Sequence, residues 1–215
     1  MIKKLSKEVV ESHKFRHIHK VGMELEGGWV GEHPTFTISG DSSVACEGDT
    51  LGEYRTIPSD SLKGALAELG EKYPHDIDES CGFHIHISTS PSNMAILADR
   101  GFYRCFYNRM FLLSDFIKKS KNKKDYDRLC NRLDGKNAYC KSIFNPIEQL
   151  SGGDRRTSLN FCSYQSHKTL ENRLFPMFEL KSNAAVALKE YIDCVEDYIE
   201  DKKSSIINPI SIIIK

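Results

Sequence analysis

The chain lacks net charge: thirty Lys and Arg offset thirty Asp and Glu over 215 residues. That balance excludes the broad basic surface of a general nucleic-acid or anionic-membrane binder, so any charged site must be local. Its seven cysteines are odd in number, scattered and free of any C-x-x-C spacing. A disulfide framework and a zinc ribbon are both excluded, and a reducing, cytoplasmic setting is expected. No apolar stretch has signal-peptide length in MIKKLSKEVVESHKF, and the tail IINPISIIIK is too short to span a bilayer, so a soluble chain is expected. GEHPTFTISG and SGGD lack the P-loop lysine and its strand-loop-helix setting, and no Rossmann glycine pattern occurs. No repeat or low-complexity tract is present.

What the chain does have is enough length for one domain with a substantial core, placed at about residues 21–200. After a short helix over Lys7–Ser12, strands are expected to about Pro58, with a turn at Ser39–Asp41 between two of them. Ser59, Asp60 and Ser61 offer helix caps before Leu62, Leu66 and Leu69. CGFHIHIS alternates as a strand. Phe102, Phe106, Met110, Leu113 and Ile117 step by threes and fours, predicting a long helix between Ser92 and Lys121 with a stripe able to cover a sheet. The basic run Lys118–Lys124 is most simply a solvated helix end, and residues 125–153 carry no clear period. Thr157–Tyr164 and Thr169–Phe175 read as two strands joined by the turn QSHK. Ala185, Leu188, Ile192, Val195 and Ile199 mark a final helix, before an apolar end that could add an edge strand. The pattern predicts an α+β fold, an antiparallel sheet with helices on one face.

The stretch GMELEGG sets the functional question. On a strand, Val21, Met23 and Leu25 face one way while Glu24 and Glu26 face the other together, about 7 Å apart. The same division recurs with Glu53 and Arg55, with His84 and His86, and with Glu171 and Arg173, while Asn160 faces away from Leu159 and Phe161. An antiparallel sheet often wets one face, but such a face favours Thr, Lys, Gln and Ser. Four Glu, two His and two Arg are another matter, because close carboxylates raise one another's pKa unless cations intervene. Oxygen ligands with an imidazole suit Mg²⁺ or Mn²⁺, and no thiolate is among them. Mg²⁺ held this way usually completes its shell with water and substrate phosphates, which points to phosphoryl transfer from a nucleotide. Asp41 reads more simply as a turn residue than as a metal contact.

GMELEGGW, Asp41–Ser42, GEYRTIP, CGFHIHIS, RRTSLNF and TLENRLF, in that order, resemble the amidoligases related to glutamine synthetase. The family pattern runs G-x-E-x-E, an E-[apolar]-x-x-P strand, C-G-x-H-x-H, an R-Y-x-x-x-N strand and an E-F-R strand. The likeness spans about Val21 to Phe175, and the ordered set is more specific than any single motif. It implies a glutamine synthetase-like curved antiparallel sheet with the site on its concave face and helices on the convex one. By the resemblance, Glu24, Glu26, Glu53, His84 and Glu171 would ligate two divalent metals, His86 and Ser88 would lie near nucleotide phosphates, and Arg173 would contact phosphate. Arg155 and Asn160 match the R-Y-x-x-x-N strand. The reaction implied is ATP-dependent amide or isopeptide formation through an acyl phosphate, with Mg²⁺ or Mn²⁺ as cofactor.

Three positions depart from the family pattern. Arg55 stands where an apolar residue or Ser is usual and could pair with Glu53, Asn172 replaces the apolar residue of E-F-R, and Arg156 replaces its Tyr. Asn172 is expected to turn to the other face, near a sheet edge or helix end. Other readings of the same residues are a guanidino-kinase-like phosphotransferase, a metal-dependent hydrolase, and a non-catalytic binding protein. The acyl donor and amine, whether small molecule, peptide or protein, are not named by any segment. Residues 123–153 are the expected place for substrate contacts. Related synthetases assemble sites between subunits, which leaves a homo-oligomer open.

Overall fold

Alternation of apolar and polar side chains builds β1 (Ile18–Trp29), β2 (Thr50–Arg55) and β3 (Gly82–Thr89); with β4 (Leu159–Asn160) and β5 (Thr169–Pro176) they form one antiparallel sheet. Its order is β2-β1-β3-β5-β4. The structure is a computed structural model and describes residues 2, 5–31, 38–138 and 140–207. Among these residues lie eight helices: α1 (Lys7–Ser12), α2 (Leu62–Glu71), α3 (Pro91–Leu97), α4 (Arg100–Lys119), α5 (Lys123–Leu133), α6 (Pro146–Leu150), α7 (Ser163–His167) and α8 (Lys181–Ile207). The fold is α+β, as expected. The edge strand expected of the apolar tail falls at 208–215, outside the described residues. Among the described residues no helix is long and apolar enough to cross a membrane, and all seven cysteines are free.

One face of the sheet is apolar. Val21, Met23, Leu25, Phe83, Ile85, Ile87 and Leu170 are at most 2% exposed, and they merge with the stripes of α4 and α8 into one core. Burying each such side chain stabilises the fold by about 1.5–3 kcal/mol. A buried carboxylate on α8 fixes where β1 begins: Glu196 accepts the backbone amides of Arg16, His17 and Ile18 at 3.0, 3.0 and 2.9 Å. Asp125 does the same for the start of α8, accepting from the amides of Glu179 and Leu180 and from Asn183 Nδ2.

The structure corrects the sequence reading at several elements. The expected helix over 92–121 is two, because Asp99 leaves the first at Ala98 and caps the second by accepting from Gly101 N at 3.1 Å. A short polar side chain that bonds the local backbone favours a cap over a helix interior. The strand expected over 157–164 pairs with β5 only at Leu159 and Asn160, while Thr157 bridges Lys141: the Asn160 side-chain oxygen accepts from Cys162 N at 2.9 Å and turns the chain into α7, so Gln165, Ser166 and His167 are helix rather than turn and Lys168 ends it. Between Val30 and Asp49 the described residues form no strand; the expected turn centres on Ser42–Ser43, with Asp41 as its first residue. Residues 125–133, part of the stretch without a clear period, lie in a helix that buries Leu129 and Leu133.

Asn172 does face the apolar side, but in the body of the sheet and 0% exposed, opposite Ile85 and Leu159. A β-bulge explains it. Between the pairs Phe83–Phe175 and Ile85–Asn172, both Arg173 and Leu174 lie opposite His84, and the Asn172 oxygen accepts the Leu174 amide at 2.9 Å.

Candidate functional site

Register, more than any single strand, assembles the polar face. Glu24 of β1 pairs with Arg55 on one side and His84 on the other; Glu26 pairs with Glu53; His86 pairs with Glu171, which pairs with Asn160. Directly opposed residues stand about 4.5–5.5 Å apart, so these side chains converge without any loop rearrangement. They line a cavity of about 260 Å³ together with Asp41, Arg155 and Arg173. Glu26, Glu53, His84, Asn160 and Glu171 are all buried.

Two triads lie side by side. Glu24, His84 and Glu171 offer ligand atoms within 4.8 Å of one another, and so do Glu26, Asp41 and Glu53. His84 Nδ1 lies 3.2 Å from Glu24, 3.6 Å from Glu171 and 3.6 Å from Glu26, so it joins the two sets. Donors across an octahedral Mg²⁺ or Mn²⁺ shell are separated by about 4 Å, and carboxylates with one imidazole are the donor types such ions take. The residues present therefore fit two divalent cations.

Electrostatics agree with that fit. Burial works against ionisation of Glu24, but the His84 and His86 imidazoles outweigh it and hold the carboxyl well below the usual range. Burial of Glu171 is likewise outweighed, chiefly by the Arg173 guanidinium and then by His84 and His86. Burial of His86 disfavours its charged form, yet its contacts with Glu24 and the Glu171 charge raise its pKa. Glu53 goes the other way: burial and then the Glu24 charge raise its pKa, and Arg55 offsets this only in part. A cation beside Glu53 would relieve both its burial and the Glu24 charge.

Supporting contacts fix the ligands. Asn160 Nδ2 and Ser163 Oγ donate to Glu171 Oε2 at 2.6 and 2.8 Å, while Arg173 pairs with its other oxygen. The Gly82 amide donates to Glu26. Arg55 does face the site, paired with Glu53 and 3.5 Å from Glu24. His86 lies 3.4 Å from Glu24 and 3.2 Å from Thr169 Oγ1. Arg155 reaches the cavity from an exposed position. Ser88 is not brought to the cavity; it lies farther along β3 and donates to the Lys20 carbonyl at 3.3 Å.

Asp41 is both things at once. It accepts from the Ser43 amide and hydroxyl at 2.8 and 2.7 Å as a turn residue, and its carboxylate still joins the second triad. The connection between β1 and β2 delivers it by folding back along the edge of β2, where Ser39 and Glu53 exchange two backbone bonds of 2.9 Å. Gly52 makes that approach possible: its φ is +150°, and a Cβ there would stand 2.0 Å from the Ser39 oxygen. Sequence reasoning also missed Ser163, which hid inside a supposed strand.

Gly82 carries a packing constraint that touches both triads. A Cβ at that position would come within 2.5 Å of His84 Nε2 and 2.9 Å of Glu26 Oε2, one member of each triad. Because both obstacles are side-chain ends, the fold of Gly82→Ala is expected to survive while the ligands shift. Displaced ligands and their supports typically cost 10–100-fold in metal affinity, so calorimetric titration of Mn²⁺ should show a loss on the order of tenfold or more. Unchanged affinity would refute the placement of His84 and Glu26 as ligands.

Comparison of the chain with protein-family models, with curated proteins and with solved structures finds no match.

Proposed function

We propose that this chain is an ATP-dependent carboxylate-amine ligase of the glutamine synthetase-like amidoligase type, working with Mg²⁺ or Mn²⁺. The observation that supports it best is the pair of adjoining triads on one sheet face, with a guanidinium, that of Arg173, held at their border. Glu24, His84 and Glu171 would hold one cation and Glu26, Asp41 and Glu53 the other. Bound there, the ions supply charge neutralisation for phosphoryl oxygens.

The chain's own groups do the rest. Arg173 presents its guanidinium to a phosphoryl group at the border of the first triad, and Arg155 approaches from the rim. His86 places an imidazole, its pKa raised by Glu24 and Glu171, beside the same space. Asn160 and Ser163 hold Glu171 in one orientation. In the reaction, a substrate carboxylate oxygen attacks the γ-phosphorus and the bond to the β-phosphate bridging oxygen breaks, giving an acyl phosphate and ADP. An amine nitrogen then attacks the acyl carbon, phosphate leaves with the C–O bonding pair, and the nitrogen sheds a proton to give the amide. The carboxylate and amine belong to a small molecule, peptide or protein.

The test is to incubate the protein with Mn²⁺, ATP and paired carboxylates and amines. ADP release that needs both partners, with a new amide seen by mass spectrometry, is the expected result. ADP release with a phosphorylated guanidine would mark a kinase instead, and absence of Mn²⁺-ATP binding would reject the catalytic reading.

A further inference from the structure

In the helical layer α4 and α8 run antiparallel, held by pairs that set their register. The Phe102 and Tyr198 rings stand 5.4 Å apart, the Phe106 and Tyr191 rings 5.8 Å apart, and Arg109 donates to Glu190 and Asp197 at 2.9 Å each. That register leaves Cys105 of α4 opposite Cys194 of α8, between the Phe102–Tyr198 pair and the Arg109 bonds, and the two thiols share a hydrogen bond. Cys194 is 0% exposed. Cys105 is half-buried and opens into a cavity of about 690 Å³, lined also by Leu5, Val9, Arg104, Leu112 and Lys189. This cavity shares no residue with the one that holds the triads.

The two thiols are unequal. One is reachable and takes on negative charge, while its partner is sealed in and keeps the proton. The Cys194 hydrogen bond, and then the Arg109 guanidinium, outweigh burial and the charges of Asp197 and Asp201 and bring the Cys105 pKa down to about 7. Cys194 moves the opposite way, raised by the same hydrogen bond and then by burial. Cys46, Cys81, Cys140 and Cys162 are raised too, each chiefly by burial. Only a thiolate attacks, so of these six Cys105 alone is armed near neutral pH.

We propose that Cys105 and Cys194 are a dithiol oxidised by hydroperoxides, with Cys105, open to its cavity, as the attacking thiol and Cys194, buried behind it, as the resolving one. The Cys105 sulfur attacks one oxygen of hydrogen peroxide, the O–O bond breaks and hydroxide leaves, giving a sulfenic acid. The Cys194 sulfur then attacks the Cys105 sulfur, the S–O bond breaks, and the oxygen departs as water with the Cys194 proton. The peroxide has taken up two electrons, and the new S–S bond ties α4 to α8. A reducing thiol reverses the bond by exchange. None of this depends on the ligase reading.

The experiment treats the reduced full chain with hydrogen peroxide, blocks the remaining thiols with iodoacetamide and maps the peptides by mass spectrometry, on wild type, Cys105→Ser and Cys194→Ser. The expected result in wild type is a peptide pair joining Cys105 to Cys194, formed before any other cysteine is oxidised and released again by dithiothreitol. In Cys194→Ser the sulfenic acid meets no thiol, so dimedone should label Cys105; in Cys105→Ser neither product should form. Without peroxide, iodoacetamide at neutral pH should modify Cys105 about tenfold or more faster than the buried Cys81 and Cys140. A first disulfide between other cysteines overturns the proposal. So does Cys105 carried on to sulfinic acid while Cys194 stays reduced, or oxidation of Cys105 no faster than that of the buried thiols. Should a serine variant fail to fold, the wild-type peptide map and alkylation rates decide the matter by themselves.

Discussion

Replacing Glu24 and Glu26 by glutamine is expected to abolish the stabilisation that Mn²⁺ and ATP together give the wild-type chain. Each triad loses one oxygen anion, because Glu24 belongs to the first set and Glu26 to the second, and an amide of the same shape carries no charge to hold a divalent ion. A ligand at a hundred times its dissociation constant stabilises the native state by about 2.7 kcal/mol. For a chain of this size that is a rise in melting temperature of about 5–10 °C, easily read by thermal shift. The double variant should show none of it. An equal rise in both proteins would mean that the ions bind elsewhere, and the proposed site would have to be abandoned.

Glu196→Ala should do the reverse, weakening the fold while leaving the ligands of the folded protein in place. The carboxylate is 2% exposed and accepts three successive backbone amides at the entrance to β1. Removing it leaves the Ile18 donor unmet in a buried setting and those of Arg16 and His17 in part-buried ones, and the half-exposed Arg16 side chain loses a partner 3.6 Å away. Unmet buried donors cost about 1–3 kcal/mol each, so a loss of about 2–5 kcal/mol is expected by urea denaturation. A loss under about 1 kcal/mol would show that water satisfies the amides and that Glu196 does not fix the start of the strand. Mn²⁺ titration of the folded fraction should match wild type, since Glu196 lies on the opposite side of the sheet from the triads.

The sheet and most of its polar face were legible because alternation is a local signal: a strand of period two commits Glu24 with Glu26, and His84 with His86, to one side before any partner is known. Register then turned four separate pairs into one cluster, which no single strand could reveal. Elements governed by side-chain bonds to the backbone were harder. Asp99 and Asn160 each end one element and begin another through a single short contact. The stretch that became α5 hid for a different reason. Its buried stripe runs Asp125, Arg128, Leu129, Arg132 and Leu133, so a search for apolar periodicity saw charges where the fold has an interior. The bulge that lets Asn172 lie inside depends on two strands slipping by a residue, which is invisible in either strand alone.

Asp41 makes the two triads unequal partners. Glu24, His84 and Glu171 all stand on paired ribbons and are braced before any guest arrives, whereas Asp41 lies off the sheet in residues 38–49, held by the two Ser39 bonds and by the Ala45 and Glu47 amides on Ser80 and Asp76. Occupancy should accordingly be sequential: a permanent tenant in the braced well, and a visitor in its neighbour whose stay depends on Asp41 keeping its place.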